Sequence, residues 1–277
     1  MDEHSPRGLK RRFGTIPDRQ LRQRTVAIAR SSDLPLVHVT HVGSAREILK
    51  SRKLETRACP VFKKSLLYFF IAKPAYRLRG GDAKSHQVNR FPFVFLVSPN
   101  AVKTPYHVYP FDTGGAASGA FDEAADKFVF LEDYELETNF NAAAGHIEWA
   151  FGGLEAYLDG DVRKDISEGV PEFETVTRSF VDIAKLAGVG SNRPDWRASA
   201  VEIASSQDVN LKGNIELAIF PLQYLEDGQL NVQLMTWLND YSIAWEAYNW
   251  QPNKTPNEFQ EVISLIVRRH LRTRGSL

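Results

Sequence analysis

Period-two alternation marks the start of the regular chain. In LPLVHVTHV, residues 34–42, His38 and Thr40 share one face while Val37, Val39 and His41 share the other, which predicts a β-strand. The spacing then turns helical in SAREILKSRK, where Ser44 and Glu47 have the separation of a capping box, so a short helix is expected to end before Leu54. LLYFFIA (66–72) and FPFVFLVSP (91–99) are short apolar and aromatic runs bounded by Lys64, Pro74 and Pro99, and each reads as a buried strand.

The Gly/Ala/Ser-rich DTGGAASGAF (112–121) has neither period and reads as a mobile loop. Two helical stripes follow, one through Ile147, Ala150, Phe151, Leu154, Tyr157 and Leu158, the other through Phe173, Val176, Phe180, Ile183, Ala184 and Ala187, with Gly188 just past its end. Strands are expected at 199–204 and 215–220, the latter closed by Pro221. Thr255, Pro256 and Glu258 then signal a helix whose apolar face carries Phe259, Val262, Ile263, Ile266 and Val267. Strands, helices, strands and a helix in that order predict an α+β fold, not the regular alternation of a doubly wound sheet.

Composition changes this picture little. The 277 residues are 43% hydrophobic and 11% aromatic, ordinary for a globular chain that buries a core. One cysteine, Cys59, allows no intramolecular disulfide, and no apolar run follows the first basic residues as in a signal peptide, so a cytoplasmic protein is expected. No stretch approaches the roughly 20 apolar residues of a membrane helix.

Charge changes it more. The formal net charge of +0 hides a segregation: residues 1–30 hold eight Lys/Arg against three Asp/Glu, a balance of +5, and residues 121–175 hold three against fifteen, a balance of −12. Residues 1–33, with a helix expected from Asp18 to Arg30, read as a basic extension to a domain spanning 34–277. Its cations Arg7, Lys10, Arg11, Arg12, Arg19, Arg22 and Arg24 are candidate phosphate contacts, against the plainer reading of a solvated or packed extension.

The candidate chemistry centres on DWRASAVEIASS, residues 195–206. Strand alternation puts Glu202 between Ala200 and Ala204 on one face, which suits a carboxylate on a surface kept low for a ligand, or an ordinary exposed strand glutamate. Glu216, in the next strand, is the competing carboxylate. P-loop, GxGxxG and nucleophile-elbow motifs are absent, and a single cysteine rules out zinc sites built on CxxC pairs. His146 and Glu148 in GHIEW are half of a deaminase motif without its PCxxC partner, and read as polar positions on an amphipathic helix. Trp237, Trp245 and Trp250 read as core.

Three segments together resemble the ADP-ribosyltransferase superfamily, in particular DarT-type toxins and related antiphage transferases. LVHVTHVGSAREILKSRKLET is similar to that family's opening strand and helix, LLYFFIAKPAYRL to its aromatic strand running into a basic residue, and WRASAVEIA to the motif that leads into its catalytic glutamate. The resemblance spans roughly 36–220 and implies a split, curved β-sheet with an inserted helical block, NAD as substrate, and no metal. It implies Glu202 as catalytic carboxylate, with Lys73 and Arg77 toward the pyrophosphate, and His38, Thr40, Tyr68 and Ser199 as NAD contacts. Where DarT-type enzymes carry an arginine the nearest match is Lys73, which keeps the charge but cannot make a bidentate grip.

The implied reaction is transfer of ADP-ribose to DNA, RNA or protein, with nucleic acid slightly favoured, by a toxin or antiphage effector that has an antitoxin or defence-system partner. An NAD glycohydrolase and a non-catalytic nucleotide-binding module of the same fold are the alternatives. On chemistry alone, a carboxylate beneath the scissile nicotinamide–ribose bond stabilises the positive charge that develops on the sugar, and can take a proton from the acceptor.

Overall fold

A computed structural model describes residues 7–25, 33–76, 87–188, 194–222 and 231–277. In chain order its helices are α1 (Gln20–Thr25), α2 (Val42–Ser51), α3 (Thr113–Ala117), α4 (Phe140–Phe151), α5 (Leu154–Asp159), α6 (Lys164–Gly169), α7 (Thr175–Lys185), α8 (Val232–Asp240) and α9 (Gln260–Thr273). Its strands are β1 (Leu36–His41), β2 (Lys53–Leu54), β3 (Arg57–Cys59), β4 (Lys64–Ile71), β5 (Pro92–Val97), β6 (His107–Tyr109), β7 (Glu202–Ser205), β8 (Val209–Asn210), β9 (Ile215–Pro221) and β10 (Ala244–Tyr248). The fold is mixed α+β with a mainly antiparallel, open sheet. Among the described residues no helix is long and apolar enough to cross a membrane.

Two compact units divide the chain. One comprises Met1–Ser32, Ala58–Lys64 and Thr104–Ala204; the other comprises Asp33–Arg57, Ser65–Lys103 and Ser205–Leu277. The second unit holds the sheet path β10-β9-β5-β1-β4, in which only the β9–β10 pair is parallel. Every residue of β5 is buried, so its sequence is a continuous apolar run instead of an alternation. α2 begins at Val42, two residues before the expected Ser44 cap, and no side chain caps it. Arg52 in the left-handed region at φ 66° ends that helix and turns the chain into β2, which pairs with β8. α9 follows a short 3-10 turn at Pro256–Phe259, and Thr255 N–H donates to the Glu258 carboxylate, completing half of the expected cap.

In the first unit the short antiparallel pair β6–β7 is joined by the helical block α4 to α7. The first predicted stripe splits into α4 and α5 at Gly152 and Gly153, which take φ 77° and 152°. The second stripe is α7, which starts after Phe173; that phenylalanine is 78% exposed. The expected loop at 112–121 is ordered: Asp112 accepts the Gly114 N–H as the cap of α3, and Thr113, Gly115, Ala116 and Phe121 are buried. Low side-chain volume and a helix of one turn left no period to read.

The arm follows the first unit through its charges. Arg11 pairs with Glu132, Arg12 with Asp133, Arg19 with Glu135, Arg22 with Glu137 and Arg24 with Glu174. The segregation seen in the sequence is therefore complementarity within the chain, and these five guanidiniums face carboxylates, not solvent-borne phosphates. Within the expected Asp18–Arg30 helix only Gln20–Thr25 is helical among the described residues; 26–30 lie outside them.

Candidate functional site

Glu202 is the first residue of β7, following a 3-10 turn at Trp196–Ser199. In register with β6, Glu202 faces Tyr109 and Ala204 faces His107. The four therefore share one face, and a methyl group at 204 leaves room for the imidazole of His107 to lean along the strands toward the carboxyl. The alanines beside Glu202 make room for this protein's own ring: Ala200 and Ala204 are fully buried and Glu202 is 1% exposed, so the expected open, ligand-sized surface is a packed interior position.

Directional hydrogen bonds hold the carboxyl. His107 Nε2 lies 3.0 Å from Oε1, the Thr113 hydroxyl donates to Oε1 at 2.7 Å, and the Thr113 N–H donates to Oε2 at 3.1 Å. Burial pushes the Glu202 pKa well above the carboxylate range, and the nearby Asp112 charge adds to this against the Thr113 bonds. Burial also lowers His107 to about 3. A neutral acid and a neutral imidazole thus share one hydrogen-bonding proton, and the contact is not an ion pair. Asp112 accepts from Arg197 at 3.2 Å, and Arg197 also binds Asp195 through Nε at 2.9 Å. The basic residue of the WRASAVEIA segment is thereby occupied by two carboxylates. Ser199 in the same turn is fully buried.

In the second unit, His38 and Thr40 lie on one face of β1. His38 Nδ1 sits 3.0 Å from the carbonyl oxygen of Tyr68, which can only accept, so Nδ1 carries the proton. Burial lowers the His38 pKa, the ring is neutral, and Nε2 is an acceptor that meets no protein group among the described residues. Tyr68 does not join His38 through its ring. Val37 pairs with Phe70 across β1–β4, so alternation puts the Tyr68 and Phe70 side chains on the face of Val37, while Phe69 packs edge-on against His38 at 5.9 Å.

Lys73, the candidate pyrophosphate contact, is 1% exposed and so is not an ordinary surface charge. It follows Ala72, held at φ 52°, and the next residues are clamped by Gln260 of α9, which donates to the Pro74 carbonyl and accepts the Tyr76 N–H at 3.1 Å. Arg77 and Arg79 lie outside the described residues. Glu216, the competing carboxylate, is paired with His270 at 3.1 Å and with Arg274.

His146 is not the polar helix position expected. It is fully buried among Trp149, Phe151 and Phe180, with neither ring nitrogen hydrogen-bonded. Trp245 is 37% exposed on β10 and so is not core. Among the described residues no group of three or more His, Cys, Asp or Glu is placed to hold a metal ion. Sequence reasoning missed His107 and Thr113, which lie 95 and 89 positions from Glu202 and carry no local motif. A scan against protein-family models finds no match, and a search of curated proteins finds none either.

Proposed function

We propose that this protein is an ADP-ribosyltransferase that cleaves the nicotinamide–ribose bond of NAD and passes ADP-ribose to a macromolecule, with Glu202 as the catalytic carboxyl. The observation that carries the reading is the state of that group: a buried carboxyl hydrogen-bonded to His107 and Thr113, kept neutral, with no cation paired to it among the described residues. A structural buried acid is ordinarily matched to a cation, as Asp133 is to Arg12. A raised carboxyl with a basic nitrogen at hydrogen-bond distance is instead suited to exchanging a proton during a reaction.

In this mechanism a ribose hydroxyl reaching Oε1 takes the place of the Thr113 hydroxyl, and the carboxyl passes its proton to Nε2 of His107 as positive charge develops on the sugar. The resulting anion stabilises that charge in a site of low dielectric. The acceptor class no longer follows from charge, since five of the arm's seven candidate cations pair with carboxylates of the chain.

The test is incubation with NAD labelled in its adenosine half and with a cell extract, following both nicotinamide release and label in DNA, RNA and protein. Label in a macromolecule, lost by about a hundredfold to ten-thousandfold in Glu202→Gln, supports the reading. Nicotinamide release without labelled macromolecule selects the glycohydrolase, and the absence of both overturns NAD chemistry.

A further inference from the structure

The N-terminal arm touches the Glu202 site from two sides, and both contacts lie within the first unit. On one side the Arg11 guanidinium stands over the Phe62 ring at 4.5 Å and donates to the Val61 carbonyl at 2.7 Å. The Phe62 ring in turn lies 4.5 Å from the His107 ring and 6.0 Å from Tyr109. His107 is the ring that meets Glu202. On the other side Leu9 N–H donates to the Ala116 carbonyl at 2.9 Å, on the helix whose first residue, Thr113, holds both carboxyl oxygens. Gly8, at φ 88°, lies so close to this helix that a Cβ would meet the Ala117 carbonyl oxygen at 2.2 Å. Only glycine fits there.

We propose that the arm is a strap that sets the Glu202 carboxyl in place, with Arg11 as its positioning residue: Arg11 fixes the Phe62 ring, Phe62 fixes His107, and His107 fixes Glu202. The ion pairs of Arg12, Arg19, Arg22 and Arg24 fasten the strap along its length, and Arg11 is the point at which that fastening reaches the site. A cation over an aromatic face restrains the ring's orientation as well as its position. The bond of Arg11 to Glu132 keeps the guanidinium from following the ring if it moves. The kinetic consequence rests on the reading of Glu202 as the catalytic carboxyl; the structural one does not.

The experiment is nitrogen-edited NMR of the histidine rings in the full chain at fixed pH, with His107 assigned by loss of its signals in His107→Gln. Wild type is compared with Arg11→Ala, Arg11→Lys and Phe62→Leu, each checked for folding by thermal melting. The strap predicts displaced His107 signals in Arg11→Ala and Phe62→Leu, and a return toward wild type in Arg11→Lys, which keeps a cation over the ring. It also predicts a kcat for nicotinamide release lower by about tenfold to a hundredfold with KM for NAD unchanged. If Arg11→Ala does not fold, Phe62→Leu decides, because it leaves every arm ion pair intact. Unchanged His107 signals in a folded variant overturn the strap. Wild type that turns over no NAD sinks the role of Glu202 alone, and the His107 signals still decide the strap.

Discussion

His107 Nε2 and Glu202 Oε1 lie 3.0 Å apart in a position closed to solvent, at hydrogen-bond distance. Burial drives each toward neutrality, the acid upward and the imidazole downward. Counting the protons that the two groups hold in the folded and unfolded chain turns these directions into a dependence on pH.

That count predicts a stability maximum near pH 6.5. Between 4.5 and 6.5, the ordinary values of the two groups, the unfolded chain carries one proton on the separated pair and the folded chain also carries one, so the pair contributes no slope. His146, lowered to about 3, is protonated only in the unfolded chain over that range and makes stability rise with pH by about 1.4 kcal/mol per unit, and His38, also lowered by burial, adds to the rise. Above 6.5 the unfolded pair is empty while the folded pair keeps its proton, so stability falls at about the same rate until Glu202 ionises. Denaturant unfolding from pH 4.5 to 8.5 should trace this dome, and Glu202→Gln should remove its alkaline limb. Stability that climbs steadily to pH 8.5 would contradict a neutral, buried pair.

A second expectation isolates His146. Its two nitrogens bury polar capacity without a partner, amid Trp149, Phe151 and Phe180. Replacing such a group by an apolar side chain of similar size is close to neutral or stabilising. His146→Leu should therefore lie within about 1 kcal/mol of wild type at pH 8 and flatten the acid limb below 6.5, leaving the part that the lowered His38 contributes. A loss of several kcal/mol at pH 8 would mean that the ring has a hydrogen-bond partner in solution.

The parts that were legible in the sequence share a physical character. β1, β4, β5 and β9 repeat one local pattern over six to eight residues, and α7 shows a complete apolar stripe, so each could be read without knowing its neighbours. β6 has three residues and β10 reads AWEAY with an exposed tryptophan, and neither carries enough repeats to stand out. The candidate carboxyl was visible as a lone charge between alanines, but the reason for those alanines was not. His107, packed opposite Ala204, is brought there by strand pairing between segments far apart in the chain. Tyr68 illustrates the converse: its carbonyl meets His38 while its ring lies on the other face, because register and not proximity decides which face a side chain takes.

The arm yields the last expectation, which sets stability against nucleic-acid binding. Asp133 is 1% exposed and accepts from Arg12, the Asp18 N–H and the Phe130 N–H, whereas the Arg24–Glu174 pair lies near the surface with Arg24 43% exposed. Arg12→Ala strands a buried carboxylate and should cost about 3 kcal/mol, while Arg24→Ala should cost less than about 1 kcal/mol. Freeing these arginines for phosphates would leave Glu132, Asp133, Glu135, Glu137 and Glu174 facing the same polyanion, so these five have little cationic charge to offer. Replacing Arg19, Arg22 and Arg24 together by Gln should leave the salt dependence of any duplex DNA binding unchanged, where an arm on the backbone would lose about 0.9 in log-log slope for each phosphate contact removed. Filter binding across a salt series with both proteins measures this directly. A slope that falls by two or more would show that the arm leaves its carboxylates to engage DNA.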